Sequence, residues 1–165
     1  MYGDDALQDI QAQIIIERYG NMVFRLALAI TKHYDVAQDV YQEVFLRYVK
    51  KEPVFENEEH AKAWFLTVCK NCCRNHFMNA FVRRSVPLEE DIPVLKEQDY
   101  GMYEEVLRLP LKYRMVIHLY YYEGYSTQMI AQLLHKKDAT IRTQLKRARE
   151  MLKQHLEGCE EFETL

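Results

Sequence analysis

Apolar residues recur at helical spacing along the first half of the chain, and this pattern predicts three long helices. The first helix covers about residues 7–32. The second begins after a candidate N-cap at Asp35 and ends before Pro53. A polar loop then leads to the third helix, which covers about residues 61–82. The face of the second helix that we expect to point into a core consists of Ala37, Val40, Tyr41, Val44 and Tyr48.

The helical pattern fails over residues 85–99, where two prolines and a run of acidic residues leave little apolar surface to bury. We interpret this segment as a flexible linker. A second set of helices begins near Tyr100, with a short helix that ends at Leu109 and a strongly apolar helix that continues to about Tyr122. A turn follows at Gly124. The segment after the linker therefore has the organisation of a domain of its own.

The composition agrees with a folded helical protein. Of the 165 residues, 48% are apolar and 28% are charged, which is far from the composition of a disordered chain. Five glycines and four prolines provide few turns, and this disfavours an all-β or doubly wound fold. We therefore predict an all-α protein with a helical domain at residues 1–84, the linker at 85–99, a second helical domain at 100–158 and an acidic tail at 159–165.

The second predicted domain contains a short helix, a tight turn and a longer helix. Ser126 can cap the short helix, and residues 135–138 are too polar and too few to form anything except a turn. The longer helix begins at Ala139. Its core-facing side is the apolar stripe Ile141, Leu145, Ala148 and Leu152.

The opposite side of this longer helix is polar and basic near its start. A short helix, a turn and a helix with a cationic first half form a helix-turn-helix, whose second helix can enter the major groove of DNA. Side chains on that helix must reach both base edges and phosphates. The residues that we predict to bind DNA here are Lys136, Thr140, Arg142, Thr143, Lys146 and Arg147.

The charge is distributed unevenly, although the net charge is only −3. Residues 70–84 contain four basic residues and no acidic one, and residues 136–149 contain six basic residues and one acidic one. Acidic residues concentrate over residues 85–105 and in the tail. Because a local patch attracts phosphate more than the sum over the chain does, the two basic segments remain candidates for nucleic-acid binding.

The first predicted domain presents two surfaces. On the second helix, the side away from the core contains acids and amides around one leucine, followed by Lys50, and an apolar residue framed by polar ones suits a protein docking patch. On the third helix, Lys70 and Arg74 alternate with Phe77, and cations beside an aromatic ring suit nucleic acid. The residues of the predicted docking patch are Asp39, Gln42, Glu43 and Leu46.

Cysteines cluster on the third predicted helix, at Cys69, Cys72 and Cys73, followed by His76. The cluster raises the possibility of a zinc site. However, the usual zinc site takes one pair of ligands from a turn and the other from a distant segment. Cys69, Cys72 and His76 lie beside the apolar stripe of the helix, and we therefore predict that they fill space in the core. We expect the cysteines to be reduced thiols and the chain to have no resident metal or other cofactor.

Both halves of the chain together resemble a bacterial sigma factor of the extracytoplasmic-function group, in the sigma-70 family. The segments DVAQDVYQEVFLR (residues 35–47) and AKAWFLTVCKN (residues 61–71) are similar to region 2 of that family. LPLKYR (residues 109–114), EGYS (residues 123–126) and ATIRTQLKRAR (residues 139–149) are similar to region 4. The likeness covers nearly the whole chain, with departures at His135, where the family often has a small residue, and at Gln144, where it is frequently basic.

The resemblance implies a function for each domain. Region 2 of the family docks on the clamp helices of the largest subunit of RNA polymerase, which corresponds here to Asp39, Gln42 and Glu43. It also melts and reads the minus-ten element of the promoter. Region 4 reads the minus-thirty-five element, which corresponds here to Arg142, Thr143, Lys146 and Arg147. The implied partners are core RNA polymerase, promoter DNA and an anti-sigma protein that holds the factor inactive.

A second hypothesis is a stand-alone transcriptional regulator that binds operator DNA as a dimer and senses redox state or metal through Cys69, Cys72 and His76. A catalytic function has no support, because the sequence contains no nucleophile and base pair, phosphate-binding glycine loop or convergent carboxylates at a motif spacing. No apolar stretch is long enough to span a membrane, and the acidic start does not resemble a secretory signal. We therefore expect a cytoplasmic protein.

Overall fold

A computed structural model describes residues 3–83 and 100–160 of the chain. The chain divides into two compact units, Met1–Glu90 and Asp91–Leu165. Within the described residues every regular element is a helix. The predicted linker at 85–99 and most of the predicted tail at 159–165 lie outside the described residues. Among the described helices we find no segment whose length and apolarity would let it span a bilayer.

The first unit is built from three helices that pack on one another: α1 (Gly3–Thr31), α2 (Tyr34–Lys51) and α3 (Glu58–Arg83). The core between them is apolar because each helix contributes one buried stripe. On α2 the buried residues are Ala37, Val40, Val44 and Phe45. Of the stripe predicted for this helix, Tyr41 and Tyr48 are only half-buried.

Two predicted helix starts were wrong. Asp35 is not the N-cap of α2, because that position belongs to His33, which has an extended backbone, while Asp35 lies in the first turn, where a carboxylate is favoured by the helix dipole. The third helix begins at Glu58 rather than Ala61. There the amide oxygen of Asn57 accepts a hydrogen bond from the backbone N–H of His60 at 2.8 Å, and the first turn carries no apolar pattern that would reveal it.

Aromatic rings fill the centre of the first unit. Phe65 on α3 is completely buried. It stacks on Tyr19 of α1 with ring centroids 4.8 Å apart and lies against Phe45 of α2 at 5.5 Å. Trp64 meets Phe65 edge to face at 5.0 Å. Because the Phe65 ring contacts residues of both other helices, it holds the three helices of the unit together.

The second unit contains α4 (Tyr100–Arg108), α5 (Leu111–Ile117), α6 (Thr127–Leu134) and α7 (Asp138–Glu160). Between α5 and α6 the chain makes one π-helical turn, His118–Tyr122, which is closed by a hydrogen bond from the backbone N–H of Glu123 to the carbonyl of His118 at 3.2 Å. The helix predicted to run to Tyr122 therefore ends in a wider turn. Gly124 follows with a φ of 68°, a left-handed conformation that suits glycine.

The helix-turn-helix of this unit is formed by α6, a short turn and α7. Ser126 caps α6, as predicted, by accepting the backbone N–H of Met129 at 3.2 Å. His135 ends α6 in a left-handed conformation, and the N–H of Lys136 reaches back to the carbonyl of Ala131 at 2.9 Å. Histidine therefore makes the turn without a glycine. The longer helix begins at Asp138, one residue before the predicted start.

Candidate nucleic-acid interface and docking face

The structure places the predicted DNA-binding residues of the second unit on one exposed side of the turn and α7. The inward residues Ile141, Leu145 and Ala148 are buried against the rest of the unit, while Leu152 is half-buried. Since the helix repeats every 3.6 residues, the remaining side is left to solvent. We call this side the basic face, and it consists of Lys136, Thr140, Arg142, Thr143, Lys146 and Arg147, all of which are exposed.

Two residues of the basic face are oriented by their own helix. The guanidinium of Arg142 forms a salt bridge with Asp138 at 2.7 Å, one helical turn earlier. The hydroxyl of Thr143 donates to the carbonyl of Ala139 at 2.9 Å. The salt bridge brings the Arg142 side chain back toward the start of α7. In the DNA-binding geometry proposed for a helix-turn-helix, that start is the part that enters the groove.

A tyrosine from α5 contacts the basic face, and sequence analysis did not identify it as a site residue. Arg147 donates a hydrogen bond to the hydroxyl of Tyr113, and this bond lowers the pKa of that hydroxyl from its ordinary value. The ammonium of Lys112 lies 4.9 Å from the centroid of the Tyr113 ring. The tyrosine and Arg147 are brought together only by the packing of α5 on α7, so no spacing in the sequence indicates the contact.

The predicted docking patch lies on the outer side of α2. Asp39 and Gln42 are exposed, and Leu46 is 57% exposed, so its apolar side chain is accessible to a partner. Glu43 is only half-buried and is not a free carboxylate. It pairs with Arg47 one turn later and accepts a hydrogen bond from the thiol of Cys72 on α3. We call these four residues the docking face. Its Glu43 carboxylate contacts α3 through the thiol of Cys72.

The basic residues of α3 differ in their surroundings. Arg74 is exposed, whereas Lys70 is half-buried. Burial and the neighbouring charge of Arg74 lower the pKa of the Lys70 ammonium from its ordinary value. Both side chains are of types that bind phosphate, but Arg74 is more accessible to solvent and to a ligand than Lys70 is.

The cysteines of α3 are core residues. Cys69, Cys72 and Cys73 are all fully buried, which confirms the predicted placement of Cys69 and Cys72 in the core. The thiol of Cys69 lies 3.5 Å from the carbonyl of Val23. Among the described side chains, no group of three or more histidine, cysteine or acidic residues is placed to hold a metal ion. His76, which was predicted to be buried with the cysteines, is only half-buried.

Burial predicts that these thiols are unreactive in the folded protein. Desolvation, with the nearby carboxylate of Glu43, raises the pKa of Cys72 to about 12, so the thiol stays protonated at pH 8. In a Cys159→Ser variant, iodoacetamide at pH 8 should modify the native chain at least tenfold more slowly than the urea-unfolded chain, as measured by mass spectrometry. Equal rates in the two states would contradict the buried placement.

The same shift has a consequence for stability. Well below pH 9 the Cys72 thiol is protonated in both the folded and the unfolded chain, and it makes no difference to the free energy of unfolding. Above pH 9 the unfolded chain loses this proton while the folded chain retains it until about pH 12. The ionisation of Cys72 therefore favours unfolding as the pH rises through this range.

Comparisons with known proteins agree with this geometry. The family profile described as Sigma-70 region 2 matches residues 15–80, and the profile described as Sigma-70, region 4 matches residues 102–152. Together they cover more than two thirds of the chain. The first match therefore contains α2 and its docking face, and the second contains the helix-turn-helix and most of α7.

Individual proteins give the same result. The chain is 26% identical to a protein of Xanthomonas campestris pv. campestris named "Probable RNA polymerase sigma factor RfaY", over 91% of this chain but only 41% of that protein's length. It is 22% identical to the "ECF RNA polymerase sigma factor SigX" of Bacillus subtilis, over 88% of this chain and 83% of that protein. Its fold is similar to the sigma factor RpoE of Bartonella quintana, solved in complex with the anti-sigma factor NepR, with a TM-score of 0.65, 22% identity and coverage of 91% and 98%.

Region 2 and region 4 thus occur in one chain, in that order, on an all-helical fold, and the relatives are initiation factors rather than enzymes. The chain therefore belongs to the sigma-70 family of RNA polymerase sigma factors, in its extracytoplasmic-function group.

Proposed function

We propose that this chain carries core RNA polymerase to a specific set of promoters and that the two units contribute different contacts. The observation that carries the proposal is that one chain combines a docking face on α2, three of whose four residues are exposed, with a helix-turn-helix whose second helix has an exposed basic face. The chemistry of RNA synthesis belongs to the polymerase. The chain selects the promoter at which synthesis begins.

The second unit is proposed to bind the minus-thirty-five element. The start of α7 enters the major groove, where Arg142, Thr143 and Lys146 reach base edges, while Lys136, Thr140 and Arg147 contact phosphates on its borders. A guanidinium can bond both acceptors of a guanine, and an amino group or hydroxyl adds a contact of lower geometric specificity. Phosphate contacts set the register, and the base contacts select the sequence.

The first unit is proposed to bind polymerase and the melted minus-ten element. Leu46 lies in an acidic and amide-rich surface, so a basic partner helix with an apolar pocket would complement both its shape and its charge. Lys70 and Arg74 on α3 would hold the backbone of the separated strand. Capture of a base that has left the duplex offsets part of the few kcal/mol that unstacking costs.

Neither unit is expected to suffice alone. A small number of phosphate contacts gives weak binding that falls steeply with salt. When polymerase holds both units on one promoter, binding of the second becomes intramolecular and the overall affinity rises by orders of magnitude. The proposed domain limits, residues 1–84 and 100–158, with the linker at 85–99, provide this arrangement.

An anti-sigma protein is a further proposed partner, because the similar RpoE fold was solved in complex with one. We also propose that the chain acts in the cytoplasm, where bacterial RNA polymerase and the chromosome are found. The competing hypothesis, a regulator that senses through its cysteines, has weaker support because the three described thiols are buried.

The docking face can be tested by substitution. The double change Glu43→Gln and Leu46→Ala should weaken capture of the full chain by core polymerase about tenfold or more, since a buried anchor at an interface is worth roughly 1–2 kcal/mol or more. Glutamine keeps the shape of the side chain beside Arg47 and Cys72. Leu46 is exposed in the free chain, so its truncation should leave thermal stability nearly unchanged.

The matched control is Ile14→Ala on α1, because the exposed fraction of Ile14, 55%, is similar to that of Leu46. Capture of the double variant at the strength of the original chain would remove these residues from the docking face. Run-off transcription with purified core polymerase, followed by mapping of start sites, tests the proposed function itself. If the chain does not associate with core polymerase even when freed from any inhibitor, the proposed function is wrong.

A further inference from the structure

One exposed arginine of α7 is held in place by two tyrosines of the π-helical turn. The Nε–H of Arg149 donates to the hydroxyl of Tyr121 at 2.7 Å. Its guanidinium carbon lies 5.5 Å from the ring centroid of Tyr120 and 5.6 Å from that of Tyr121. The two rings meet at an angle of 73° with centroids 5.0 Å apart, so they support each other as well as the arginine.

The π-helical turn brings these tyrosines to α7. A π-helical turn holds more residues than an α-helical turn, so the side chains that follow are displaced from the α-helical register. Tyr121 is 55% exposed, so its ring is not enclosed in the core of the unit. The turn therefore presents a large aromatic side chain at the surface, where it contacts both Arg149 and the ring of Tyr120.

The charge of Arg149 is not neutralised by a carboxylate, in contrast to two other cations on its side of the helix. Arg142 is paired with Asp138 at 2.7 Å, and Lys153 with Glu157 at 3.5 Å. Among the described residues no carboxylate lies within salt-bridge distance of Arg149. A tyrosine hydroxyl accepts a hydrogen bond without adding a negative charge. The arginine is thus oriented while its full positive charge remains available.

Arg149 and Arg147 lie on opposite flanks of α7. Residues two positions apart on an α-helix point about 200° apart. Arg147 is held by Tyr113 from α5, and Arg149 by Tyr121 from the π-helical turn. An α-helix with its side chains is about 10–12 Å wide and the major groove is about 12 Å wide, so a helix in the groove has a phosphate backbone on each side.

We propose that Arg149, oriented by Tyr121, contacts a backbone phosphate of duplex DNA on the side of α7 opposite to Arg147. The inference rests on the proposed binding of the second unit to the upstream promoter duplex. Arg149 is the contacting residue, and Tyr121 is a positioning residue that acts through it. A guanidinium presents planar donors to phosphate oxygens, and fixing its direction beforehand lowers the conformational entropy lost on binding.

The test is fluorescence anisotropy of the full-length chain with a labelled mixed-sequence duplex of about 30 base pairs, between roughly 25 and 150 mM NaCl. Loss of one phosphate contact should reduce the slope of log K against log salt by about 0.9 for Arg149→Ala. Tyr121→Phe should weaken binding severalfold but leave the slope unchanged, because the charge stays. Arg149→Lys should also preserve the slope while losing affinity.

A double-mutant cycle separates positioning from a merely structural role. In the Arg149→Ala background, Tyr121→Phe should have no further effect on binding. Lys153→Ala is the matched control, since Lys153 lies one turn further along the same side and is paired with Glu157. The proposal is overturned by an unchanged salt slope for Arg149→Ala, by an equal loss for Lys153→Ala, by additive effects in the cycle, or by a chain that does not bind the duplex at the lowest salt.

Failure of this contact is distinguishable from failure of the proposed function. Capture of the Arg149→Ala chain by core polymerase is measured in parallel and should equal that of the original chain, since Arg149 is not on the docking face. A chain that binds the duplex through Arg149 but never associates with core polymerase would refute the proposed function and leave the DNA contact standing.

Discussion

Replacing Arg142 and Lys146 together by alanine is expected to reduce run-off transcription from the cognate promoter about 100-fold. Each good base contact is worth about 1–3 kcal/mol, and 1.4 kcal/mol corresponds to a factor of ten. Both side chains are exposed in the free chain, so neither contributes to the core. Arg142 must also leave Asp138 to reach a base, which exchanges a carboxylate for the neutral acceptors of a base edge.

The measurement uses purified core polymerase and a promoter identified by start-site mapping. Lys153→Ala is the control, because it removes an exposed charge from the same helix outside the basic face. Capture by core polymerase should be unchanged in the double variant, which separates promoter reading from docking. Transcription at the original level would exclude Arg142 and Lys146 from the reading of the upstream element.

Phe65→Ala is expected to lower the free energy of unfolding of the first unit by about 3–5 kcal/mol, the usual range for truncating a fully buried phenylalanine. The ring is completely buried, and it contacts aromatic residues of α1 and α2 as well as its helical neighbours. A typical domain is stable by only 5–15 kcal/mol, so such a loss is a large part of the total. The variant should also lose capture by core polymerase, because α2 is no longer fixed against α3.

Trp64 provides the measurement, because it is the single tryptophan of the chain and lies edge to face with Phe65. Urea unfolding followed by its fluorescence reports the first unit without interference from the second. Val54→Ala is the matched control, since Val54 is 89% exposed and its truncation should change stability by less than about 0.5 kcal/mol. A loss below about 1 kcal/mol for Phe65→Ala would contradict its central place in the core.

Features that depend on neighbours a few residues apart could be predicted from the sequence. The Ser126 cap needs only the backbone N–H three residues later, and the stripe Ile141, Leu145 and Ala148 needs only the helical repeat. Both predictions were confirmed. The start of α3 was missed because its cap, Asn57, precedes a turn of exposed acidic residues with no apolar pattern.

The role proposed for each site residue remains a prediction, but the surroundings of several could not have been inferred from spacing. Glu43 meets Cys72 across two helices, Arg147 meets Tyr113, and Arg149 meets Tyr121. The partners in these pairs are separated by 28 residues or more in the sequence. The π-helical turn is equally hidden, because nothing in the pattern of its tyrosines distinguishes it from an α-helix.

Periodicity, capping and motifs that act within a few residues were enough to predict the helices apart from some of their ends, the helix-turn-helix, the exposed polar side of α7 and the family. The contacts between distant side chains came from the packing of the helices: Glu43 accepts a hydrogen bond from the buried thiol of Cys72, and two arginines of α7 donate hydrogen bonds to tyrosines from neighbouring elements. The physical reason is that a hydrogen bond between distant residues depends on how helices pack, and packing is not encoded in the spacing of any one helix.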